Sequence, residues 1–152
     1  MKRLALVGLL GAAACVSGTL RPVRPGAEFQ VDASPPAALE VALGAVTALG
    51  LPLRLHDPEA GVVETNYTDI VQYYPEASQF PLGERLVRFR LIVVLADTGY
   101  GSTVAIEARY SPFMTGGDDT SRNRERAIPR DHPAMEMVRE LQAAITTRAH
   151  DR

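Results

Sequence analysis

The stretch from Leu86 to Tyr110 restricts the fold more than any other part of the chain. From Leu86 to Ala96 the sequence alternates with a period of two. Val87, Phe89, Leu91, Val93 and Leu95 fall on one side, and Leu86, Arg88, Arg90, Ile92 and Val94 on the other. Alternation of this length marks a strand, because successive side chains of a strand point to opposite faces. Asp97-Thr98-Gly99-Tyr100-Gly101 supplies turn residues, and Ser102 to Tyr110 resumes the pattern with Val104, Ile106, Ala108 and Tyr110 inward. A long antiparallel hairpin is predicted. A register that sets Glu107 opposite Arg90 keeps the apolar faces together and pairs opposite charges. The next in-phase register sets Arg90 against Arg109 and is the less favourable of the two.

The remaining elements arrange themselves around this hairpin. Phe29 and Val31 share one side of a short first strand within Ala27 to Ala33. Ser34-Pro35 is a helix start, a hydroxyl cap followed by proline at the first helical position. Leu39, Ala42, Leu43, Val46 and Leu49 then recur at helical spacing until Gly50 and Pro52 end the helix. Leu51, Leu53 and Leu55 alternate in a short strand, Asp57 to Gly61 is a turn, and Val63, Thr65 and Tyr67 mark one face of the returning strand. Thr68 to Gly83 and Ser111 to Asp131 lack a period and read as loops. Asp131 or His132 caps a last helix with Pro133 in its first turn. Its buried face is Ala134, Met137, Val138, Leu141, Ala144 and Ile145. The predicted order is β-α-β-β-β-β-α. That makes an α+β two-layer sandwich, with a mainly antiparallel sheet of about five strands and two helices on one face.

The first residues read as an export signal. Met1, Lys2 and Arg3 form a positive start, and Leu4 to Ala14 is an unbroken run of apolar and small residues, too short to span a bilayer. Ala12-Ala13-Ala14-Cys15 follows and resembles the lipobox of bacterial lipoproteins. That resemblance implies cleavage before Cys15, acylation of Cys15 and a lipid anchor, which several acyl chains make firm. The alternatives are a plain secretory signal cut after Ala12-Ala13-Ala14, or an uncleaved anchor. On the lipoprotein reading, residues 1–14 are the signal peptide, 15–26 a tether carrying Pro22 and Pro25, and 27–150 a single domain. With 152 residues, 46% of them apolar, the chain has material for one real core. Its formal net charge is −2, and loss of Lys2 and Arg3 would make it more negative, so nucleic acid is not an expected partner. The one cysteine allows no internal disulfide.

Leu39 to Thr65, reading LEVALGAVTALGLPLRLHDPEAGVVET, runs from an amphipathic helix ending in Leu-Gly through a short strand and Asp-x-x-x-Gly to a strand ending in Thr. This resembles the repeated unit of BamC-type lipoproteins of the outer-membrane β-barrel assembly machine, whose domains have a helix-grip fold. The lipopolysaccharide-transport lipoprotein with two helices on one sheet is similar in shape. The resemblance implies an outer-membrane location facing the periplasm and an envelope protein as partner.

Nothing in the chain rises to an enzyme signature, and no cofactor is implied. Asp97-Thr98-Gly99 matches the catalytic triplet of aspartic proteases, which needs two carboxylates sharing a proton. Tyr100 stands where that family has a small residue, and a hairpin loop accounts for the same residues. His56, His132 and His150 show no metal-ligand spacing, and Asp118-Asp119 reads as a solvated acidic loop. Asn66-Tyr67-Thr68 fits a glycosylation sequon, which a bacterial lipoprotein does not use. Tyr73, Tyr74 and Phe80 are candidate partner-binding anchors, or else they fold back over the core. The expected function is that of a non-enzymatic envelope lipoprotein, an accessory or scaffold subunit of an outer-membrane assembly or transport system. The alternative is a binder of an apolar small molecule or lipid, in a helix-grip pocket lined by Phe89, Leu91, Ile106 and helix residues.

Overall fold

A computed structural model describes residues 26–76, 88–111 and 125–151. The order is β1 (Ala27–Val31), α1 (Pro35–Ala48), β2 (Leu53–Asp57), β3 (Val62–Thr65), a 3₁₀ turn (Ile70–Gln72), β4 (Arg88–Asp97), β5 (Ser102–Ser111), β6 (Arg126–Ala127) and α2 (Ala134–His150). The strands form one antiparallel sheet ordered β1-β5-β4-β3-β2, and the short β6 also pairs with β5, beyond the end of β1. Both helices lie on one face of this sheet, so the chain is an α+β two-layer sandwich as predicted. Ten-residue β4 and β5 are its spine.

Local sequence explains each joint. Ser34 holds the N-cap position of α1 in extended backbone, but its hydroxyl does not make the expected capping hydrogen bond; the helix starts through Pro35 and Pro36, which need no amide partners there. At the other end Gly50 takes φ 68°. Its N–H donates to Thr47 O at 3.0 Å, and that of Leu51 donates to Val46 O at 3.2 Å. This paired closure needs a left-handed residue, and it turns Leu51 back into the core. Asp57 Oδ1 accepts from the backbone N–H groups of Glu59 and Ala60 and so folds the β2–β3 turn. Gly101 is required by proximity: a Cβ there would sit 2.5 Å from Val31 O. Next to it, Ser102 Oγ donates to Ala33 O at 2.7 Å and ties the hairpin tip to the link between β1 and α1.

The helix-facing side of the sheet carries Val63, Thr65, Phe89, Leu91, Val93, Leu95, Val104, Ile106, Ala108 and Tyr110, all buried. Against them lie Ala38, Leu39, Val41, Ala42, Ala45 and Val46 of α1, and Ala134, Met135, Met137, Val138, Leu141 and Ile145 of α2. The sheet face matches the alternation read from the sequence. Helix α1 is rotated from its expected face, burying Ala38, Val41 and Ala45 beside Leu39, Ala42 and Val46 while Leu43 and Leu49 are half-buried, and in α2 Met135 is buried and Ala144 half-buried.

Several expectations are corrected. In the β4–β5 register Arg90 lies opposite Arg109 and Ile92 opposite Glu107, not Arg90 opposite Glu107. The loop decides this: Asp97 pairs with Ser102 and leaves four residues for the turn, whereas the expected register leaves only two between the strands. The segment after Thr65 is not featureless. Thr68 bridges to Phe89, with N–H donations in both directions at 2.8 and 2.9 Å. Asp69 then caps the 3₁₀ turn by accepting from Val71 N–H at 3.0 Å. The pairing shifts by one residue between Glu64 and Thr68, and Thr65 Oγ1 takes the Leu91 N–H at 2.9 Å. That shift puts Tyr67 beside Arg90 rather than on the face of Val63 and Thr65. Similarly, Arg126–Ala127 is a strand and Ile128 is buried, inside a stretch read as loop. Leu53 and Leu55 do not join Leu51 in the core: they are 44% and 42% exposed on edge strand β2, where a register shift between them sets Leu53 opposite Thr65 and Leu55 opposite Glu64.

Candidate functional site

The sheet face away from the helices carries charge. Its centre is Arg90, whose side chain is only 9% exposed. One Nη donates to Glu64 at 2.8 Å and the other to Glu125 at 2.7 Å. Glu125, just before β6, is 5% exposed and also lies 3.7 Å from Arg109. Arg109 in turn grips Glu107, two residues back on β5, at 2.5 Å, and Arg54 approaches Glu64 at 3.5 Å. The Tyr67 ring lies 5.4 Å from the Arg90 guanidinium carbon, a cation–π contact. Three arginines and three glutamates from β2 to β6 thus alternate across the face.

Burial governs the protonation behaviour of the cluster. It lowers the Arg90 pKa, an effect opposed by Glu64 and reinforced by the like charges of Arg54 and Arg109. It raises that of Glu125, aided by Glu64 and opposed by Arg54. The three arginines and three glutamates of the cluster balance in formal charge. What it does is mechanical. Glu125 fills the gap between two arginines that face each other across β4 and β5, and so fixes the approach to β6.

The histidines lie apart. His132 is buried before α2 and caps it: Nδ1 accepts the Ala134 N–H at 3.1 Å. Burial lowers its pKa, against the pull of Asp131. His56 ends β2, and His150 ends α2. Among the described residues no group of histidine, cysteine and carboxylate side chains is arranged to hold a metal ion, and no helix is long and apolar enough to cross a membrane.

Asp97 sits in an exposed hairpin tip, where its carboxylate accepts the Gly99 N–H at 2.7 Å; Tyr100 beside it is 96% exposed. Tyr73 and Tyr74 are half-buried and packed on the core. The Tyr73 hydroxyl donates to Gly50 O at 3.3 Å. The Tyr74 phenol is pushed above its ordinary range by burial first and by Glu140 second. Cys15, Phe80, Asp118 and Asp119 lie outside the described residues, as do the signal segment and the tether before Gly26. The charged cluster brings together residues that no sequence motif joins. The outward phase of the strands did mark Arg54, Glu64, Arg90, Glu107 and Arg109, while Glu125, in a stretch read as loop, gave no signal.

No protein-family model matches the chain, and no match is found among curated proteins.

Proposed function

We propose that this chain is a lipid-anchored envelope protein that works through its surface, as an accessory or scaffold subunit of an outer-membrane assembly or transport system. The anchor is acylated Cys15, by the lipobox resemblance of Ala12-Ala13-Ala14-Cys15. The observation that carries a surface role is the filled space between sheet and helices. Phe89, Leu91 and Ile106, which would line a helix-grip pocket, are at most 1% exposed, and side chains of α1 and α2 complete the same core. A ligand there would have to displace close-packed atoms. The kinship to BamC-type lipoproteins belongs to this proposal and rests on the cadence of Leu39 to Thr65.

The test is Cys15→Ala in the native envelope. The parent should fractionate with membranes and incorporate labelled fatty acid. The variant should lose the label and either become soluble or stay unprocessed. A variant that is processed and membrane-bound like the parent defeats the anchor. Crosslinking the anchored parent should trap an envelope protein, and exclusive recovery of a bound apolar small molecule would favour the pocket instead.

A further inference from the structure

Towards the β4–β5 turn, the sheet face away from the helices changes from charged to apolar. One row of opposed residues crosses it from β1 to β2: Glu28 lies opposite Ala105, Ala105 opposite Val94, Val94 opposite Val62, and Val62 opposite Asp57. The row has a carboxylate at each end and apolar side chains between. Ile92 lies one step nearer to Arg90, and Ala96 and Thr103 one step nearer to the turn. Val62, Val94 and Ala105 are half-buried, and Ala96 is exposed. Exposed Leu55, opposite Glu64, extends the patch on β2. Strand β4 is therefore apolar on both sides from Leu91 to Ala96. That is the pattern of a strand covered on both faces, whereas α1 and α2 cover one. The charge around the patch has one sign. Stretches 28–40, 55–64 and 91–108 hold no arginine or lysine. Among the described residues Glu28, Asp57, Glu59 and Asp97 are in no ion pair, unlike Glu64 and Glu107 in the neighbouring row, which Arg90 and Arg109 hold. Tyr100, 96% exposed, stands in the turn beyond.

We infer that this half of the open face docks a cationic amphipathic helix of another envelope protein. The inference names the partner chemistry of the proposed scaffold role and rests on that reading. A helix fits because one apolar stripe lies on Ile92, Val94, Val62 and Ala105 while basic residues on its flanks reach the carboxylates that end the row. From β1 to β2 the row spans four strand spacings, about 19 Å, which about 13 residues of helix cover. An added strand does not fit, because the patch lies within the sheet and not at its edge. A second copy of this chain fits poorly, because it would bring the same unpaired carboxylates together. The charge that repels a second copy attracts a basic partner, and the apolar row supplies the area that such a partner buries.

The experiment uses the full chain with a photoreactive benzophenone amino acid in place of exposed Ala96 or, as the control, in place of exposed Glu40 in the helix layer. The added peptide is a synthetic amphipathic helix of leucine and lysine. Its comparators are a scrambled peptide of the same composition and an amphipathic helix of leucine and glutamate. The adduct at 96 should form several-fold more readily with the lysine helix than with either comparator, and several-fold more readily than the adduct at 40. Added salt should reduce it. Glu28→Gln with Glu59→Gln should reduce it too, at an unchanged melting temperature. Equal yield from the scrambled peptide overturns the apolar contact, and equal yield from the glutamate helix overturns the charge match. Equal yields at 96 and 40, or no adduct at 96, overturn the site. A dimer of the chain that forms through 96 and excludes the peptide identifies a second copy as the occupant and also overturns it. The lipid on Cys15 takes no part in this reaction, and the Cys15→Ala fractionation reads the anchor by itself, so a failed surface and a failed anchor are told apart.

Discussion

Leu91 and Arg90 are neighbours on β4 and point to opposite faces of the sheet, and everything around them differs. Leu91 meets the helices in a core whose positions are interchangeable in kind: any aliphatic side chain of suitable volume would bury there. Arg90 meets Glu64, Glu125 and Tyr67, each at a particular place, and loss of either carboxylate leaves the buried guanidinium less compensated. The helix face supplies the stability of the fold. The open face adds specificity, because one carboxylate from outside the hairpin reconciles two arginines that the turn forces to face each other.

The largest expected effect tests the helix face. Leu91→Ala removes a fully buried side chain at the centre of the sheet and should cost about 2–5 kcal/mol in urea denaturation. A cost under about 0.5 kcal/mol would mean that this face is not the core.

Next comes the open face. Arg90→Ala leaves Glu125 buried without its nearest cation. The cluster is partly solvated through Glu64, which reduces the full penalty of a broken buried pair to about 1–3 kcal/mol. Arg90→Leu combined with Glu125→Leu should recover most of that loss, since no lone charge then remains. If the losses in the double variant simply add, the two side chains are not coupled and the comparison between the faces collapses.

These two faces were unequally legible in the sequence. Alternation named the sheet residues of the helix face, and helical spacing named Leu39, Ala42, Val46, Ala134, Met137, Val138, Leu141 and Ile145 but not Ala38, Val41, Ala45 or Met135, because burial acts on each position separately and leaves a periodic trace that small residues blur. The open face depends on pairings. Arg90 against Arg109 looked unfavourable while only the hairpin was in view, and the carboxylate that resolves it comes from a stretch whose composition reads as loop. Likewise Thr68 and Ile128 carry no period, yet backbone hydrogen bonds tie each to the long hairpin, two between Thr68 and Phe89 and one from Ile128 to Ala108. Leu53 and Leu55 misled in the other direction. They alternate like core residues, but the shift between them sets Leu53 opposite Thr65 and Leu55 opposite Glu64 on the edge strand, and both are exposed.

A third prediction separates the two faces by pH. His132 belongs to the helix side, buried with a lowered pKa, and its Nδ1 must stay unprotonated to accept the Ala134 N–H. A depressed histidine pKa means that the unfolded chain binds the proton more readily. Stability should therefore be full above the unfolded value near 6.5 and fall as pH drops below it, by about 1 kcal/mol for the capping contact. Glu125 on the open face acts oppositely: its raised pKa favours the folded state as acid increases from above the ordinary carboxylate range. Thermal melts of the parent should lose stability between about pH 7 and 5, and His132→Gln should flatten that slope. An unchanged slope in the variant would assign the acid response elsewhere.

The smallest effect is expected where the sheet ends and neither face exists. Asp97 is exposed at the hairpin tip, where its carboxylate accepts a hydrogen bond from Gly99 N–H. Asparagine keeps an acceptor oxygen at the same place and is equally at home in such turns. Asp97→Asn should therefore shift stability by less than about 0.5 kcal/mol, measured by urea denaturation beside Leu91→Ala and Arg90→Ala. The same variant bears on Asp97-Thr98-Gly99 as a protease triplet. A catalytic aspartate needs a second carboxylate close enough to share its proton, which would have to come from another chain meeting this tip. Incubating parent and variant with an unfolded protein substrate decides the matter. Pepstatin-sensitive cleavage by the parent that disappears in Asp97→Asn would make the tip a catalytic half-site. Identical behaviour of the two leaves Asp97 as the residue that closes the turn, and with it the register that brings Arg90 and Arg109 face to face.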